Sequence, residues 1–145
     1  MANFTIPEVG KVYLLNYKLG FSGASLAGAK MHLADPGSTF TFAPRDQLLG
    51  DFVECTFPGY APVVVGPWSP VIDDAVNFWA KSNSQVCIFT NTSATLSFNV
   101  AGWYLTDAGG MNLIAFEQFT PVVSLGPGQS LTVQLELREL SLYNN

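Results

Sequence analysis

The chain has 145 residues, 48% of them hydrophobic and only 12% charged, with a formal net charge of −5. A soluble domain averages about 25% charged residues, so this composition excludes a disordered chain and allows one ordinary domain. Six cations against eleven acids leave no electrostatic footprint for DNA or RNA, and no apolar run approaches the roughly 18 residues of a membrane span.

Gly and Pro punctuate the chain at short intervals, and no long 3.6-residue pattern appears. That spacing predicts an all-β domain of many short strands. Residues 1–10 read as an irregular arm, with no basic region and apolar stretch of the kind that marks a secretory leader. Residues 12–19 read as a strand, with Tyr13, Leu15, Tyr17 and Leu19 on one face. A small flexible stretch, 20–28, separates this arm from a strand at 29–34, which Asp35, Pro36 and Gly37 stop. Residues 44–57 hold the only helix-like pattern, one or two turns with Leu48, Leu49, Phe52 and Val53 on a face. Residues 76–80 and 85–90 look like a hairpin around 81–84. In the C-terminal third, Phe98, Val100, Gly102 and Tyr104 alternate with Asn99, Ala101 and Trp103, which places Trp103 on the outward face. Residues 106–110 are turn chemistry, 111–119 return antiparallel, and 126–129 turn again. In the last strand Leu131, Val133, Leu135 and Leu137 face inward. Leu140, Leu142 and Tyr143 then break that register. The predicted architecture is an antiparallel β-sandwich or jelly roll at 29–145, with one short helical turn and an extended N-terminal arm or strand at 1–28.

The chemistry-bearing residues are few. His32 is the single histidine, and a nucleophilic triad would need it beside an acid and an activated hydroxyl or thiol, yet no nucleophile elbow is present. His32 therefore reads as a strand residue. Cys55 and Cys87 have no metal-ligand spacing and read as two buried, unbridged thiols. Asp73 and Asp74 read as a solvated turn. No enzymatic activity, metal or cofactor is expected. Phe52, Phe57 and Tyr60 read as core and corner aromatics. Trp68, Trp79 and Trp103 are the residues a sugar-binding reading would choose.

Two stretches carry a resemblance. One is residues 30–36 followed by Leu48 to Tyr60, in which Asp51, Phe52, Phe57, Gly59 and Tyr60 are the most specific positions. The other is residues 102–110, then 115–119, then 126–137. Together they resemble a family of small phage virion proteins, whose members carry an "LADFTEATFxGY" segment, a "GYYVTDAAG" hairpin and a closing "GDSLTVTP" strand. The resemblance spans roughly residues 29–137, interrupted around 66–84, and residues 1–28 lie outside it. It implies a structural role on the particle and no catalytic residues.

The expected function is that of a virion structural protein, specifically a capsid decoration (cement) protein that stabilises the head by subunit contacts. The alternative is a fibre, spike or tail-tip module that binds a host carbohydrate or receptor. The expected partners are the major capsid protein or another virion protein and sister copies, as a trimer, with no nucleic acid and no membrane. The expected contact residues are Phe4, Ile6, Tyr13, Leu15, Tyr17, Leu19 and Phe21 of the arm, Trp103, and Leu140, Leu142 and Tyr143 at the C-terminal end. The competing reading folds the arm back as a strand of its own sandwich.

Overall fold

The computed structural model describes residues 4–18, 25–41, 43–74 and 79–140. These form a helix, α1 (Glu8–Lys18), two single 3-10 turns (Pro44–Asp46 and Leu49–Asp51) and nine strands. The strands are β1 (Lys30–Ala34), β2 (Val63–Val64), β3 (Ile72–Asp74), β4 (Trp79–Asn83), β5 (Cys87–Thr90), β6 (Phe98–Thr106), β7 (Leu113–Leu125), β8 (Ser130–Val133) and β9 (Glu136–Leu140). The chain is mostly β, and every ladder is antiparallel.

The largest sheet has the order β2-β1-β6-β7. Its centre is covered on both faces. Cross-strand pairs Met31↔Leu105 and Leu33↔Trp103 put one set of side chains into the main core. The intervening pairs, His32↔Tyr104 and Ala34↔Gly102, lie beside Phe116 of the same sheet and face a second layer built from Phe40, Leu49 and Phe52. A strand buried on both sides reads as a continuous apolar run, which is why β6 is buried from Val100 to Thr106. Gly102 is required here: a Cβ would lie 2.1 Å from the Glu117 carbonyl oxygen.

The remaining strands form one bent ribbon. The Asn83↔Glu136 and Cys87↔Val133 pairs are four residues apart on one side and three on the other, so one extra residue bulges the ribbon. Ser84 spans the kink: its N–H donates to the Leu135 carbonyl and its Oγ accepts the Leu135 N–H, both at 2.9 Å. The hairpin expected around 81–84 is thus corrected. A seryl side chain bridges to the partner strand instead, and β4 and β5 run on in one direction. The Gln85 N–H donates to the Val65 carbonyl at 3.0 Å, joining this ribbon to the β2 edge. Phe89, Val133 and Leu135 then share the main core with Met31, Leu33 and Trp103.

Residues 12–19 do not form the expected strand; through Lys18 they are helical. The decisive spacing is Gly10, Tyr13 and Leu14, an i, i+3, i+4 stripe facing inward, while Val9, Val12 and Leu15 stay exposed. Pro7 precedes the helix, and Glu8 sits in its first turn, where a carboxylate suits the helix dipole. Gly10 lets α1 lie against β7, since a Cβ there would fall 2.0 Å from the Ile114 oxygen. The Tyr13 hydroxyl donates to the Ser25 carbonyl at 2.7 Å and accepts the Ser25 N–H at 2.8 Å. Thr5 exchanges both backbone bonds with Phe116, at 2.7 and 2.9 Å. The segment expected as an extended arm is, over residues 4–18, a single bridge and a helix on its own sheet. The helical pattern expected in 44–57 is reduced to the two 3-10 turns.

Candidate functional site

The face of the large sheet that carries His32 and Tyr104 gathers the polar chemistry. His32 on β1 places Nδ1 2.8 Å from Glu54 Oε1 and Nε2 2.9 Å from Thr106 Oγ1. Hydroxyl, imidazole and carboxylate therefore stand in the order of a nucleophilic triad. The surroundings disarm it. Thr106 is 1% exposed, and its hydroxyl also lies 3.0 Å from the Asp107 carbonyl as a donor. The His32 ring is stacked on Tyr104 at 4.7 Å, and Phe52 stacks on the other side of Tyr104 at 4.5 Å. Nothing the size of a scissile bond can approach Thr106 in this packing.

The cluster is instead a clasp. The Tyr60 hydroxyl donates to Glu54 Oε1 at 2.6 Å and accepts the Leu33 N–H at 3.1 Å. Glu54 also bridges to Ala34 through the backbone. Burial, and next the hydrogen bond to Glu54, push the Tyr60 phenol well above its usual range, so it stays a donor. Burial, with the Glu54 charge, holds Tyr104 near 12. Sequence reasoning treated His32 and Tyr60 separately; their meeting through Glu54 depends on the path of residues 52–60 over β1, which has no local signal.

Both thiols are buried and unbridged. Burial, followed by the nearby charges of Asp35 and Glu54, raises Cys55 to about 12, and burial raises Cys87. Both therefore remain thiols rather than nucleophilic thiolates.

The expected contact residues divide. Trp103, placed outward by alternation, is 0% exposed. The reason is a register break: Val100↔Val123 and Gly102↔Gln118 are two residues apart on β6 and five on β7, and the parity of β6 switches there. Trp103 lies 5.8 Å from Phe4 and its indole N–H meets no acceptor among the described residues. Phe4, Ile6 and Tyr13 also pack on the chain's own core. Leu15 remains exposed, alongside Val9 and Val12. Tyr17 is the penultimate residue of α1, and Leu140 pairs with Trp79 in the β4–β9 ladder. Leu19, Phe21, Leu142 and Tyr143 lie outside the described residues.

Two of the cavities that open on the surface are lined entirely by described residues. One, of about 500 Å³, runs between Glu117 and Phe119 of β7 and residues 131–136. The other, of about 270 Å³, is lined by Asp35, Pro36, Cys55, Thr56, Phe57, Ser97, Phe98 and Asn99. Among the described residues no three His, Cys, Asp or Glu side chains converge as metal ligands, and no helix is long and apolar enough to cross a membrane.

No protein-family model, curated protein or solved structure is significantly similar to this chain.

Proposed function

We propose that this chain is a phage virion structural protein, a capsid decoration subunit of sandwich or jelly-roll type that stabilises the head through contacts rather than chemistry. The observation that carries the reading is how the family-like blocks are used. Residues 30–36 supply the inner strand β1, residues 48–60 close over it through Glu54 and Tyr60, and residues 102–110 and 115–119 supply the second half of β6 and part of β7 beside it. His32, Glu54, Tyr60 and Thr106 spend their polar groups on one another, as in a rigid building block. The contact surface left to the N-terminal segment is the outer side of α1, where Val9, Val12 and Leu15 stand exposed at 40%, 53% and 55%. A charge-poor surface of that kind suits a neighbouring subunit. The proposed partners are the major capsid protein or another virion protein and two sister copies, in a trimer at lattice three-folds.

Cryo-electron microscopy of the particles tests this. A trimeric density over the capsid lattice that fits this fold, with α1 against a neighbour, is the expected result. Density confined to tails or vertices would move the protein to the fibre or spike reading, and absence of the chain from purified particles would overturn the virion role.

A further inference from the structure

The smaller cavity has the chemistry of a ligand site. Asp35 enters it from the end of β1, Thr56 from the covering segment, and Ser97 and Asn99 from the start of β6. Thr56, Ser97 and Asn99 are solvent-exposed, and their side chains make no hydrogen bond to the described residues, so their polar groups are open to a ligand at the rim; half-buried Asp35 uses only Oδ1, accepting the Gly37 N–H at 2.8 Å. Pro36, Phe57 and Phe98 supply the apolar wall, with the two phenyl rings 5.8 Å apart.

We infer that this pocket binds a single neutral sugar residue. The donor and acceptor set decides the class. A carboxylate accepts from adjacent hydroxyls, an amide both donates and accepts, and two hydroxyls do either. A sugar ring presents that mixture, together with a C–H face that rests against aromatic and prolyl surface. An anionic ligand would meet the Asp35 carboxylate, and a bound metal ion would find only that one carboxylate among the lining residues. The cavity is open to solvent, and its volume, just below the roughly 300–1,000 Å³ of drug-sized ligand pockets, gives room for one ring. Cys55 at the wall stays an uncharged thiol, so Asp35 is the only fixed charge lining the pocket.

The test is an amide NMR titration of the full chain with the methyl glycosides of glucose, galactose, mannose and N-acetylglucosamine, and with glucuronic acid as the anionic counterpart. At least one neutral glycoside should give saturable shifts around residues 35–37, 56–57 and 97–99, with a Kd on the order of 1 mM, the weak end of specific binding. Asn99→Ala and Asp35→Asn should each weaken it by about tenfold while leaving the rest of the spectrum in place, the second because Asn retains the acceptor for Gly37. Glucuronic acid should bind at least about tenfold more weakly. Shifts that stay linear to about 100 mM, that map elsewhere, or that survive both substitutions would overturn the site. That failure would leave the virion role untouched, since the role is read from particles and not from sugars.

Discussion

The large sheet and the bent ribbon solve the same problem differently. In β6 seven consecutive residues are buried, because one face meets the main core and the other meets Phe40, Leu49 and Phe52. In β5 burial alternates, with Cys87 and Phe89 inside and Ile88 at 56% exposure. The difference shows where this fold keeps its stability: in a sheet pinned between two apolar layers, with the ribbon as a one-sided flap over one of them.

The largest consequence is at Trp103. Truncating a fully buried indole removes its transfer free energy and leaves a cavity, so Trp103→Ala should lower unfolding stability by about 3–5 kcal/mol. Urea denaturation of the isolated chain measures it. A loss under about 1 kcal/mol would mean that the two-sided burial of β6 is wrong and would return Trp103 to a subunit interface.

The clasp over β1 comes next. Tyr60→Phe keeps the ring but leaves the buried Leu33 N–H without its acceptor, and leaves Glu54 Oε1 with His32 Nδ1 alone beside it. The expected cost is about 1–3 kcal/mol, read in the same denaturation experiment. A neutral result would show that residues 52–60 are held by packing alone.

This layering also explains what was legible in the sequence. Strand alternation was readable at Leu131, Val133 and Leu135, where one face meets water. It misled at Trp103, because a strand buried on both sides carries no alternation and a register break switches its parity. Gly110 and Gly128 announced their turns and take φ values of +70° and +72°. The helix was missed because Tyr13 and Tyr17 satisfy a two-residue period as well as a helical one, and the arbiter, Gly10 against Ile114, is a tertiary contact. The pocket left no signal either: Asp35 and Asn99 are far apart in sequence, and each alone reads as a turn or strand-surface residue.

A smaller effect sits at the tip of the β6–β7 hairpin. Partial burial works against ionisation of Asp107, but the Asn112 amide and the backbone N–H groups of Met111, Asn112 and Gly110 outweigh it and hold the carboxyl below its usual range. A depressed carboxylate stabilises the fold above the ordinary Asp range, and that contribution is lost as pH falls through the lowered folded value. Thermal melts through the acid range should therefore lose more stability in the native chain than in Asp107→Asn, whose amide oxygen does not titrate. Parallel acid profiles for the two proteins would show that the tip carries no proton-linked stability.

The smallest expected change sharpens the comparison from the ribbon side. Ile88 points away from the main core in β5, opposite Thr132 in β8. Ile88→Thr keeps a β-branched side chain, and with it the strand preference, while removing apolar surface that already faces water. Its effect on unfolding of the isolated chain should stay within about 0.5 kcal/mol. A loss above about 1 kcal/mol would mean that this face is covered, and the ribbon would then be a second two-sided sheet. If stability holds but sedimentation shows a smaller assembly, the exposed side of β5 and β8 joins the outer side of α1 among the proposed contacts between copies. Unchanged stability and assembly would leave the ribbon a one-sided flap.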